Sequence, residues 1–181
     1  MLVNKFKIRG IGMETTTTIK QATLEDYDTI RELLYATAGW LKSKGLTQWA
    51  DLPTGARDHR IEAKILSGDT YLFYKGETLA GTITLQTLPE EWDLNLWTGV
   101  KEDLEAAIYV HRIATHREFA GQGLGQRMLD WAIPFGKKAG KTWIRLDCVG
   151  DNLALNAFYQ RCGFTYLGES ESGFSLYEKP I

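Results

Sequence analysis

The chain has 181 residues, of which 44% are hydrophobic and 24% charged, and its formal net charge is −2. A chain of that length can build one full core, and the near-neutral balance excludes a global basic field that would collect nucleic acid. No apolar run approaches the roughly 20 residues that span a bilayer, so neither nucleic acid nor a membrane is an expected partner.

The opening "MLVNKFKIRGIGMETTTT" carries basic residues but neither a continuous apolar block nor a small-residue cleavage site, so it does not read as a signal peptide. Residues 1–14 read as an N-terminal tail or extension, with Met13 as an alternative start, and residues 15–181 as one domain. "TIKQAT", Thr18 to Thr23, alternates as a first strand. Thr23, with Asp26 three residues on, supplies a helix start. Leu24, Tyr27, Ile30, Leu33, Leu34 and Ala38 follow at helical spacing, so the helix spans roughly 24–44 and stops at Gly45. Pro53, Thr54 and Gly55 mark a loop before a second helix, Arg57 to Ser67.

Two β-rich runs, Tyr71 to Tyr74 and Leu79 to Leu88, flank the turn Lys75-Gly76-Glu77 as a hairpin. Pro89 to Lys101, with Trp92 and Trp97, reads as a long loop. "LEAAIYVHRIAT" reads as a strand buried on both faces. Leu124, Met128, Leu129, Ala132 and Phe135 give an amphipathic helix ending near Gly140. "TWIRLDCV" is a further buried strand, Asn152 to Cys162 a helix stopped by Gly163, and "FTYLGE" with "GFSLYEK" a last hairpin. The order β-α-α-β-β-β-α-β-α-β-β is that of a mixed α/β domain, a central mixed β-sheet with helices on both faces. Only two cysteines occur, Cys148 and Cys162, in different elements. That count suits a reducing cytoplasm better than a disulfide framework. Three scattered histidines and no Cys-x-x-Cys spacing leave no metal site expected.

"THREFAGQGLGQRML", Thr115 to Leu129, places Gly121, Gly123 and Gly125 between a strand and a helix. Glycine there meets a steric need, either a tight turn or a close approach to the backbone. The first amides of a helix lack internal partners and carry the positive end of its dipole, so bare glycines can admit a phosphate to them. The spacing matches neither the dinucleotide fingerprint nor the nucleotide-hydrolase loop.

Read together, "HRIATHREFAGQGLGQRMLDWA" and "IRLDCVGDNLALNAFYQRCGF" resemble the GNAT superfamily of acyl-CoA-dependent N-acetyltransferases, whose order of elements matches roughly residues 17–180. The resemblance implies acetyl-CoA as cofactor, with its pyrophosphate on the backbone of Ala120, Gly121, Gln122, Gly123, Leu124, Gly125 and Gln126. Ala120 departs from the Arg or Gln usual at that place. A side-chain contact to phosphate is lost there and the amides remain. The resemblance also implies that the backbone of Ile113, Ala114 and Thr115 pairs with the pantetheine arm and polarises the thioester carbonyl.

Acetyl transfer needs a deprotonated amine, a polarised carbonyl and a donor for the departing thiolate. Tyr159 occupies the family's tyrosine position in "NAFYQRCGF". Its phenol stays protonated at neutral pH and can donate, unless it is simply a core residue of its helix. Asn152 matches a position that contacts the cofactor, and it equally fits an N-cap. Tyr109, His111 and Ile113 share one face of their strand by alternation. His111 is the candidate base, with a hydrogen-bonded core histidine as the other reading; Glu105 is a weaker candidate, and a water chain is the third route. Trp40, Gln48, Trp49 and Trp92, together with Trp97, are candidates for an aromatic acceptor pocket or for plain packing. The acceptor expected is a small-molecule amine. A non-catalytic acyl-CoA-binding or sensing domain on the same fold is the alternative function. Homodimers are common in the family, and the edge of the terminal hairpin is where one would form.

Overall fold

The computed structural model describes residues 4–5, 17–52 and 58–181. They form two compact units, one from the described residues within 1–84 and 112–125 and the other from residues 85–111 and 126–181. In chain order the elements are β1 (Asn4–Lys5), β2 (Thr17–Gln21), α1 (Tyr27–Ser43), α2 (Asp58–Leu66), β3 (Thr70–Lys75), β4 (Thr78–Gln86), α3 (Glu91–Trp97), β5 (Ala107–Thr115), α4 (Leu124–Lys138), β6 (Trp143–Val149), α5 (Leu153–Arg161), β7 (Thr165–Glu169) and β8 (Phe174–Pro180). The expected α/β class with a mixed sheet is present.

In the first unit the strands follow the order β1-β2-β3-β4 and then the end of β5. Strand β1 lies within the stretch read as a tail, where Asn4 pairs with Ile19 and Lys5 with Thr18. The rest of residues 1–14, and the turn residues Pro53 to Gly55, lie outside the described residues. Helix α1 starts as the sequence predicts. The Asp26 carboxylate accepts from the Thr23 N–H at 2.9 Å and from its hydroxyl at 3.1 Å, and Gly45 closes the helix with a φ of +77°. The apolar stripes of α1 (Ile30, Leu33, Leu34, Ala38) and α2 (Ile61, Ile65) close over Leu72, Leu79 and Ala114 in one cluster. The β3–β4 hairpin turns at Gly76 with a φ of +60°.

In the second unit the order is the start of β5, then β6, β8 and β7. Strands β5 and β6 run parallel from Ala107↔Trp143 to Val110↔Leu146, and β8 is antiparallel to both β6 and β7. Helix α4 lies close on β5: a Cβ at Gly136 would come within 3.2 Å of Ile108 Cδ1. Glycine there buys close helix–strand contact.

Two expectations need correction. Pro89 to Lys101 is not all loop, because α3 forms within it. Its start is stabilised by the Asp93 carboxylate, which accepts from the Glu90 N–H at 2.9 Å, and Leu96 and Trp97 anchor it in the core. The other concerns strand faces. Arg112 has a φ of +46°, so the alternation placing Ile113 with Tyr109 and His111 is interrupted at that residue. A non-glycine residue held there stores backbone strain.

Candidate active site

In the first unit, β5 leads through a single 3₁₀ turn, Arg117–Phe119, into the glycine stretch. The His116 N–H bonds the Ala80 carbonyl at 2.8 Å and ties this corner to β4. Gly121 and Gly123 take left-handed φ values of +74° and +71°, so at these two positions the turn itself requires glycine. Gly125 is the second residue of α4 and takes no such φ. Ala120, Gly121, Gln122 and Gly123 are exposed, Leu124 is buried, and a Cβ built at Gly121 meets no atom within 4 Å. The turn is therefore open on its outer side, directly before the amides of the α4 start. Lys75 Nζ donates to Gln122 Oε1 at 2.6 Å and lies 5.0 Å over the Phe119 ring, which brings a cation to the loop that begins with Ala120.

The acceptor candidates divide between the units. Trp40 is half-buried, with the Arg117 guanidinium 3.8 Å over its ring. Trp49, at a φ of +61°, packs against the α1–α2 core, and Gln48 beside it is half-buried. Trp92 belongs to the second unit: its Nε1 donates to Asp147 Oδ1 at 3.2 Å, and its ring meets Phe174 edge-on at 5.0 Å. Trp97 is fully buried between Tyr109 and the Arg145 guanidinium, so it is a core residue and lines no pocket. Arg145, itself wholly buried, is neutralised by Asp103 at 2.6 Å and Glu178 at 3.3 Å. That cluster ties the residues ahead of β5 to β6 and β8.

Tyr159 comes from the buried face of α5. Its ring packs on Phe158, Tyr177 and Phe164, with centroids 5.4, 5.7 and 6.1 Å away. Its hydroxyl has no hydrogen-bond partner among the described residues. Burial, and then the nearby Cys148 and Asp147, push the phenol well above its ordinary value, so it remains an O–H donor throughout the neutral range. Asn152 caps α5, its Oδ1 accepting from the Leu155 N–H at 3.2 Å. Asn156, which the sequence reading did not single out, ties β6 to α5. Its amide donates to Val149, Gly150 and Asn152 carbonyls, and its Oδ1 accepts from the Tyr177 hydroxyl at 2.7 Å.

His111 ends the start of β5 with 17% of its side chain exposed, and its Nε2 lies 3.0 Å from Asp93 Oδ1. Both atoms are buried, and the ring N–H is not directed along the line between them, so neither has an aligned hydrogen-bond partner. The pair is a close contact of imidazole and carboxylate rather than a finished hydrogen bond. Glu105 is exposed and lies in the 3₁₀ turn Leu104–Ala106, before β5 begins. Among the described residues no cluster of His, Cys, Asp or Glu is arranged to hold a metal ion.

The sequence model of the acetyltransferase (GNAT) family matches residues 34–164, most of the chain. The chain belongs to the GNAT acetyltransferase family. A relative from Bacillus subtilis (strain 168), the uncharacterized N-acetyltransferase YesJ, is 44% identical over 160 residues, 88% of this chain and 88% of its own length. A GNAT-family acetyltransferase from Listeria monocytogenes 4b F2365 has a crystal structure with 36% identity and a TM-score of 0.79, covering 98% of this chain and 100% of its own. The PaiA N-acetyltransferase of Thermoplasma acidophilum, solved in complex with coenzyme A, shares the fold at 18% identity and a TM-score of 0.73, over 92% of this chain and 99% of its own. The chain is accordingly an acetyltransferase, and acetyl-CoA is the cosubstrate of its family.

Proposed function

We propose that this protein transfers the acetyl group of acetyl-CoA to a primary amine of a small molecule by direct attack, with residues 15–181 as the catalytic domain and residues 1–14 as an extension. The observation that carries the reading is the open glycine turn ahead of α4 in a chain of this family. Its left-handed glycines and exposed positions leave room for a diphosphate against backbone amides. The thioester supplies an activated acyl carbon, and everything else is the chain's work. The amides of residues 120–126 hold the diphosphate, and the backbone of Ile113, Ala114 and Thr115 aligns the arm that bears the thioester. Asn152 orders the start of α5 and thereby Tyr159, whose O–H is the donor for the departing sulfur. His111 takes the proton that makes the amine nucleophilic. Trp40, Gln48, Trp49 and Trp92 supply the aromatic and amide surface for the acceptor, which suits a compact apolar or cationic amine. No helix of the described residues is long and apolar enough to cross a membrane. Two buried, unbridged cysteines favour a reducing compartment, the cytoplasm, as the site of action.

The test is a screen of amines, amino acids and aminoglycosides for thiol release from acetyl-CoA. Amine-dependent release supports the reading. Tight coenzyme A binding with no amine giving turnover would instead favour a binding domain.

A further inference from the structure

Outside the residues that the sequence marks, the second unit holds a buried carboxylate aimed at the candidate base. Asp93 is 1% exposed and sits in the first turn of α3, where one oxygen, Oδ2, accepts from the Glu90 N–H. Its other oxygen faces His111 Nε2 at 3.0 Å, and both of those atoms are sealed from water. A buried carboxylate oxygen without a donor is costly, so the arrangement calls for a proton between the two. A turn of the ring that aims Nε2–H at Asp93 Oδ1 supplies it, closing the 3.0 Å contact into a hydrogen bond. A neutral imidazole with its proton on Nε2 keeps its lone pair on Nδ1. Nδ1 has no partner among the described residues, and the ring retains exposed surface.

We propose that Asp93 is a positioning residue for acetyl transfer, fixing the His111 proton on Nε2 so that Nδ1 is the atom that accepts a proton from the acceptor amine. The inference rests on the acetyl-transfer reading. The incoming ammonium gives one proton to Nδ1, and the nitrogen lone pair so released forms the C–N bond as the C–S bond breaks. The Tyr159 O–H holds a hydrogen bond on the departing sulfur and passes its proton there as the nitrogen's second proton takes its place on the phenol oxygen, so no phenolate forms, and His111 returns its proton to solvent. The sum is amide, thiol and one released proton. The Asp93 carboxylate stabilises the imidazolium in between, without itself moving a proton.

Ring-nitrogen NMR of the full chain tests the pairing without any acceptor. The expected result is a neutral His111 protonated at Nε2, with that proton exchanging with water at least about tenfold more slowly than in Asp93→Ala, as sealing by a carboxylate partner requires. Protonation at Nδ1, or equal exchange in the two proteins, would overturn the proposal. Asp93→Asn keeps an oxygen for the Glu90 N–H and so keeps the α3 start. With an amine found by thiol release, it should lower kcat about tenfold or more, a base-sized loss, leave the KM for acetyl-CoA within about twofold, and add nothing to the loss of His111→Gln. Losses that multiply in the double variant would reject Asp93 as acting through His111. A failed amine screen would count against the transfer reading and leave the NMR result to decide the pairing.

Discussion

Replacing Tyr159 by phenylalanine separates catalysis from stability more cleanly than any other single change in this protein. The ring contacts with Phe158, Tyr177 and Phe164 do not involve the hydroxyl, so Phe preserves the packing. The residue is 3% exposed, yet its hydroxyl bonds no described group. The hydroxyl is not among the sealed polar atoms of the described residues, so its burial costs at most part of the about 1–3 kcal/mol of an unpartnered buried polar group. Removing it should therefore leave stability unchanged or raise it by up to about 1 kcal/mol, about 2–4 °C in Tm for a chain of this size. The catalytic effect runs the opposite way. A positioned donor for the leaving thiolate contributes about a hundredfold or more at full effect. The phenol is pushed well above its ordinary value, and so much weaker as an acid than a thiol of pKa about 8.5. In the proposed role it works mainly by holding a hydrogen bond on the sulfur, and we expect kcat to fall about tenfold or more with the Kd for acetyl-CoA within about twofold. Thiol-release kinetics, calorimetry and a thermal melt on one preparation read all three. Full turnover in Tyr159→Phe, or a Tm lowered by 5 °C or more (about 1.2–2.5 kcal/mol by the same scaling), would refute the assignment of the hydroxyl to chemistry rather than structure.

Three further outcomes are expected. His111→Gln should lower kcat about tenfold or more, a base-sized loss; unchanged turnover removes His111 from the mechanism. Gly123→Ala places a side chain on a left-handed backbone in the open turn and should weaken coenzyme A binding about tenfold by calorimetry, a loss of about 1.4 kcal/mol. Gly173→Ala, at a similar φ of +81° in the β7–β8 turn, bears comparable backbone strain and should leave binding intact; equal effects in both would reduce Gly123 to a folding residue. The Cys148 thiol is pushed up from 9.0 to about 12 by burial, with Asp147 adding to it. Its folded pKa is raised, so its contribution is complete below pH 9 and is lost as pH climbs toward 12. At about 1.4 kcal/mol per tenfold in acidity, that contribution is on the order of 4 kcal/mol. Denaturant unfolding between pH 9 and 12 should show a steeper decline for the wild type than for Cys148→Ala, and parallel declines would contradict it.

How far the sequence revealed the molecule depended on how local each signal was. The β3–β4 hairpin, α1 with its Thr23–Asp26 start and the glycine turn were all legible, because their periodicity and turn chemistry lie within a few residues. Helix α3 was not. Seven residues between Pro89 and Gly99 offer barely two turns, and its start uses Glu90 rather than the usual Ser or Thr. The only cue was Asp93 three residues on. Missing that helix concealed the partner of His111 and the anchor of Trp92, both set by tertiary contact. Arg112 escaped for a different reason: nothing in an Arg predicts a left-handed φ inside a strand. Trp97 misled because its indole size fits a pocket wall as well as a core, and only its neighbours Arg145 and Tyr109 decide.

The most direct test of the account is a crystal structure of this chain with coenzyme A. The diphosphate should lie within hydrogen-bond distance of the backbone amides between Gly121 and Gln126, in front of the first turn of α4. A well-ordered coenzyme whose diphosphate sits on any other part of the chain would contradict it.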